Sequence, residues 1–203
     1  MQRLAVALAL TFFLAACCSP RDHQREDGAA AGPGGVVSVG EFDSVGLHGG
    51  GHVVLRYGPT ESVRLLKGST QYTRIRVEDA HSLEIDACEN DCPLHYDLEV
   101  EVVMPRIAAV AVEGGGHIEA VSGFPSQDQL TAAVHGGGDI DLRAIDAANA
   151  TAAVDGGGRI HIRANQHLTA AVNGGGSIGY SGNAEVTNAV NGGGDVHRED
   201  GAQ

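Results

Sequence analysis

The chain has 203 residues, a formal net charge of −13, four cysteines, no tryptophan and 30 glycines. That length fits one modest domain, or one domain plus a targeting segment. The acidity works against binding nucleic acid through its phosphates or an anionic membrane through its headgroups, and an aromatic content of 4% leaves little material for a ring-packed core.

Met1-Gln2-Arg3 is a short positive start, and Leu4 to Ala16 is an apolar run with one threonine, Thr11. The run is too short for a membrane-spanning helix and fits the apolar region of a secretory signal. It ends in Leu14-Ala15-Ala16-Cys17, which resembles the lipobox of bacterial lipoprotein precursors. The resemblance implies a diacylglycerol on the sulfur of Cys17, acyl chains such as palmitate, and cleavage that leaves Cys17 first. The next residue is Cys18 and not Asp, which by the same resemblance implies the outer membrane over the inner. Cys18 itself reads equally as a second acceptor, an intermolecular thiol or a neutral residue. Ser19 to Gly35 is polar, then rich in Ala, Gly and Pro, with no apolar period, as expected of a disordered tether. As a flexible coil it would reach on the order of 20 to 25 Å. The expected division is therefore a lipoprotein signal peptide over 1–16, a lipid-anchored tether over 17–35 and a folded domain over 36–203.

The first half of that domain carries short strand-like runs. Val36 to Leu47 and His52 to Tyr57 flank a glycine triplet. Further runs follow at Val63–Leu66, Arg74–Val77, Leu83–Ile85 and Asp97–Met104, separated by turn signals such as Tyr57-Gly58-Pro59-Thr60 and Lys67-Gly68-Ser69. Two arrangements remain open for them: irregular early rungs of the repeat described next, or an antiparallel cap. Cys88 and Cys92 lie in a CENDC loop. In an oxidising, exported compartment the pair is expected to form a disulfide. The rival is a metal site with His95, which lacks an evident fourth ligand.

Six triplets punctuate the chain: Gly49-Gly50-Gly51, Gly114-Gly115-Gly116, Gly136-Gly137-Gly138, Gly156-Gly157-Gly158, Gly174-Gly175-Gly176 and Gly192-Gly193-Gly194. Aligned on the last five, the segments read AAVAVEGGGHIEA, LTAAVHGGGDIDL, ATAAVDGGGRIHI, LTAAVNGGGSIGY and VTNAVNGGGDVHR. Val112, Val134, Val154, Val172 and Val190 form one apolar column. Ile118, Ile140, Ile160, Ile178 and Val196 form another, with polar residues on either side and Thr131, Thr151, Thr169 and Thr187 as an outward column. Alternation with period two marks half-buried strands, and a triple glycine would break a helix. The expected fold is all-β: a right-handed parallel β-helix, or solenoid, with irregular N-terminal strands and each triplet forming a corner. The charged end, His197 to Gln203, is expected to blunt the open end of the stack.

The Phe42-Asp43-Ser44-Val45 segment, the Val100-Glu101-Val102-Val103-Met104-Pro105 strand and the Ile107 to Ile118 stretch resemble a family of exported bacterial proteins, the auto-transporter adhesins with a head GIN domain. Members of that family usually carry Gly-Ser-Gly where this chain has Gly-Gly-Gly. The resemblance covers Val36 to Val196 and implies a β-helix-like exported domain with no catalytic residue.

Ten histidines raise a zinc reading. His48 and His52 flank the first triplet, while His117 and His135 fall on different columns, so simple solvation is expected and no metal or cofactor is assigned. Asp139 and Asp141 faintly resemble calcium-binding glycine/aspartate repeats, but Arg159 in the same column would repel calcium. An Asp139–Arg159 ion pair between rungs is the better expectation. No nucleophile elbow or zinc-protease motif is present. Phe42, Phe124, Tyr57, Tyr72, Tyr96 and Tyr180 are few for sugar platforms. The leading expectation is a non-enzymatic, lipid-anchored protein of the cell envelope. It would display a polar β-solenoid face for adhesion or contact with an unknown envelope or surface macromolecule. No nucleic acid is expected, and self-association stays open. A periplasmic structural or envelope-stress component, and a polysaccharide-active β-helix enzyme, are the alternatives.

Overall fold

The computed structural model describes residues 35–199 except Ala80 and Asn90. The signal segment, Cys17 and Cys18, the tether through residue 34 and residues 200–203 lie outside the described residues. Fifteen strands and no helix are present among them. In chain order they are β1 (Val36–Val37), β2 (Ser44–Gly49), β3 (His52–Tyr57), β4 (Ser62–Lys67), β5 (Arg74–Glu78), β6 (Ser82–Asp86), β7 (Glu99–Met104) and β8 (Ala109–Gly114). There follow β9 (His117–Ala120), β10 (Gln127–Gly136), β11 (Asp139–Gly156), β12 (Arg159–Gly174), β13 (Ser177–Ser181), β14 (Glu185–Gly192) and β15 (Asp195–Arg198).

The strands make two parallel runs that share β11 and β12. Before the triplets, β6, β2, β8, β10, β11, β12 and β14 pair in that order. After the triplets the order is β7, β3, β9, β11, β12, β13 and β15. Register follows the aligned columns: Val112, Val134, Val154, Val172 and Val190 are successive partners, as are Ile118, Ile140, Ile160, Ile178 and Val196. Alternate side chains of both runs enter one core cluster. Val112, Val134, Val154, Val172, Ile118, Ile140, Ile160 and Ile178 are all buried to within 1%. Each contributes about 1.5–3 kcal/mol by leaving water. Val190, in the last rung, is 41% exposed, because β14 pairs on one side only among the described residues.

Both arrangements left open for the first half occur. β2 with β3, and β6 with β7, are rungs of the parallel runs. By contrast β5 on β6, β4 on β7 and β1 on β4 are antiparallel and cover that end. The spatial order departs from chain order. The rung 44–57 lies second, sandwiched between 82–104 and 109–120. In the outermost parallel rung the loop 87–98, with its disulfide, stands where later rungs have a triplet.

The glycines of a triplet are not equivalent. The first, as at Gly174, has φ of +116°, and a Cβ there would lie 2.5 Å from the carbonyl oxygen of Gly156 one rung below. The third, Gly176, would put a Cβ 2.5 Å from both Gly158 O and Val154 Cγ1. The middle one, Gly175, has nothing within 4 Å, and its N–H donates to Gly156 O at 2.9 Å. Thus triplet stacks on triplet, backbone on backbone, with the hydrogen-bond ladder carried through: Gly137 to Gly114 O and Gly157 to Gly136 O, both at 2.8 Å.

Substitutions in one corner should therefore separate. Gly175→Ser is expected to change stability by no more than about 0.5 kcal/mol. Gly174→Ala, strained at positive φ, and Gly176→Ala, pressed on backbone, should each cost about 1–3 kcal/mol. Urea unfolding midpoints of the three variants check this; equal losses at all three positions would contradict it.

Candidate functional site

Parallel register turns each outward position into a ladder crossing the rungs at roughly 4.8 Å. The column just after the corner runs Glu99, His52, His117, Asp139, Arg159, Ser177 and Asp195. Two residues further along lies Glu101, Val54, Glu119, Asp141, His161, Gly179 and His197.

His52 and His117 are direct register partners, with ring centroids 5.0 Å apart and planes tilted by 42°. Both present Nε2 to the carboxylate of Glu119: His52 Nε2 is 3.3 Å from Oε1 and His117 Nε2 is 3.9 Å from Oε2. The first approach is close enough for an ion pair but not aligned as a hydrogen bond, so the buried His52 Nε2 has no hydrogen-bond partner. His117 Nδ1 faces Asp139 Oδ1 at 3.5 Å, and Arg159 approaches the other oxygen of Asp139 at 3.8 Å. The expected Asp139–Arg159 pair is thus present. Asp141 is occupied by Arg143, whose Nε lies 3.0 Å from Oδ1. Burial opposes charge on Asp141, but the hydrogen bonds and charge of Arg143 outweigh it and lower the carboxyl's pKa. Two arginines on these two acids leave no calcium-like pair.

Across the corner, His48 sits between two rungs. Its Nε2 contacts Glu84 Oε2 at 2.8 Å and its Nδ1 contacts Glu113 Oε2 at 3.1 Å. Burial disfavours the imidazolium, yet the Glu84 hydrogen bond and the fields of Glu84, Glu113 and Asp86 prevail, and the pKa is raised. His135 stands in the same column as His48, two rungs further on, and so apart from His117.

Cys88 and Cys92 are joined in a disulfide, which leaves no thiolate pair to bind metal with His95. Near the far end, a polar cleft of about 510 Å³ is lined by Asp146, Arg163, Asn165, Ser181, Gly182, Asn183, Arg198 and Glu199. Its two acids are engaged: Asp146 with Arg163 at 3.3 Å and Glu199 with His161 at 2.6 Å. Among the described residues no aromatic ring lines it. Glu199 also donates its N–H to Tyr180 O, which continues the β13–β15 ladder of the last rung; residues 200–203 of the charged segment expected to blunt that end lie outside the described residues.

Residues 124–184 match the family described as "Putative auto-transporter adhesin, head GIN domain". The head GIN match covers all of β11, β12 and β13, where the repeat is most regular. A solved putative adhesin from Bacteroides fragilis is 15% identical, with a TM-score of 0.51 over 81% of this chain and 95% of that one. At that identity the likeness speaks to the fold alone. A putative adhesin from Parabacteroides distasonis is 17% identical with a TM-score of 0.41, covering 85% of this chain and 98% of the other. A putative lipid binding protein from the same organism is 15% identical with a TM-score of 0.35, covering 87% and 100%. Comparison with curated proteins gives no match.

His48 supplies a pH test. Its folded pKa is raised above 6.5, so its contribution to stability is complete below the unfolded value and is lost as pH rises through the folded one. The gap in thermal midpoint between wild type and His48→Gln should narrow as pH rises from below the unfolded value of about 6.5 through the raised folded value. A gap that stays constant as pH rises from acid to alkaline would contradict the assignment.

Proposed function

We propose that this protein is a non-enzymatic component of the cell envelope. It is anchored by lipid on Cys17, held off the outer membrane by the tether 17–35, and displays a right-handed β-solenoid for contact with another macromolecule. The observation that carries the reading is the face before the corner. There Thr131, Thr151, Thr169 and Thr187 are in register and exposed, with a column of small alanines, Ala133, Ala153, Ala171 and Ala189, next to them and the exposed His135, Asp155, Asn173 and Asn191 beyond it. Asn191 donates to Asn173 Oδ1 at 3.2 Å, so part of this array is already ordered. A flat row of small polar side chains at constant spacing suits a repetitive or extended partner, because little side-chain entropy is lost when it is covered. The head GIN match supports an exported, adhesin-like protein, and the cleft with its engaged acids offers no pair of free carboxylates for glycan hydrolysis. The same triplet corners that stack the rungs would set the pitch of the solenoid.

Metabolic labelling with palmitate and fractionation of cells test the anchor. Wild type should carry label and sediment with membranes, and Cys17→Ser should lose the label. Protease added to intact cells should then digest the domain. Label retained in Cys17→Ser would refute the anchor; a domain protected until cells are lysed would refute surface display and favour a periplasmic structural role.

A further inference from the structure

We propose that His52, His117 and Glu119 form a binding site for a divalent transition-metal cation of the zinc type, with Asp139 as the positioning residue for His117. This goes beyond the display role and does not depend on it. The ligand atoms of the three residues lie within 4.8 Å of one another. A small rotation of each side chain would bring them to the roughly 2.0–2.2 Å that zinc takes from imidazole nitrogen and carboxylate oxygen.

Three features point to a cation. The nitrogen His52 Nε2 is buried and unpartnered, although a carboxylate oxygen stands 3.3 Å away; a metal between them satisfies both. His117 is set up as a ligand, because Asp139 at 3.5 Å from Nδ1 favours the proton there and leaves the Nε2 lone pair facing Glu119. A carboxylate on the far ring nitrogen is the usual support of a metal-bound histidine. Finally, the ligands come from β3 and β9, register partners packed side by side, so the backbone fixes their spacing.

Two imidazoles and one carboxylate suit zinc and its neighbours, whereas calcium and magnesium prefer oxygen ligands alone. Three protein ligands leave one tetrahedral position for water or for a donor from outside the chain.

The test uses the full-length chain purified in detergent and stripped with chelator. Zinc is titrated by calorimetry, with calcium and magnesium as competitors, and the wild-type histidine ring resonances are followed by NMR. One zinc per chain should bind at micromolar free metal, insensitive to millimolar calcium or magnesium, with the His52 and His117 rings shifting on binding. His52→Gln, His117→Gln and Glu119→Gln should each weaken binding by about tenfold or more, and Asp139→Asn by about tenfold. His135→Gln and His167→Gln should leave it unchanged. Circular dichroism in chelator confirms that each variant keeps its strands. No binding at micromolar zinc, or rings of His52 and His117 that stay unmoved in wild type, would overturn the proposal, as would undiminished affinity in the folded His52→Gln/His117→Gln double variant.

Discussion

The structure depends on the direct stacking of one glycine triplet upon another. At Gly136, Gly156, Gly174 and Gly192 the carbonyl of the rung below occupies the space where a Cβ would project, and at the third position of each later triplet the valine one rung below does the same. Because the corner has no side chains in the stacking direction, successive rungs approach to hydrogen-bonding distance there as well as along the strands. Register is then fixed at every rung, and a slip would turn each apolar column out to solvent.

Fixed register has an electrostatic consequence. Equal residues stack on equal residues, which helps valine on valine and harms carboxylate on carboxylate. In the two columns nearest the corner no acid lies directly on another: Asp86, Glu113 and Asp155 are separated by His48 and His135, and Glu99 is separated from Asp139 by His52 and His117. In the next column Glu119 does neighbour Asp141, and there Arg143 compensates. A chain with net charge −13 can thus build acidic ladders whose histidines bridge carboxylates, as His48 bridges Glu84 and Glu113.

Much of this was legible from spacing. Most strands of the first half fall at the apolar runs read from the sequence, although the run Val36–Leu47 is split into β1 and the start of β2, and the valine, isoleucine and threonine columns are register partners. The position of the rung 44–57 was not legible, because β2 and β3 enter the stack ahead of the rungs that flank them, and nothing in local periodicity encodes that order. The pairing of His52 with His117 was hidden for the same reason, although a signal existed: each directly follows a triplet, in GGGHVV and GGGHIE, and so occupies the same column. The unequal roles within a triplet also escaped a reading based on conformational freedom. In the later triplets the carbonyl one rung below adds to positive φ in forbidding a Cβ at the first position, and backbone together with a valine methyl closes the third.

Amide hydrogen exchange at the corners tests the central claim most directly. If corner stacks on corner, the N–H groups of Gly137, Gly157 and Gly175, which donate to the rung below, should exchange as slowly as the amides in the middle of β11 and β12. Exchange at these three glycines as fast as in an unstructured loop would contradict the account.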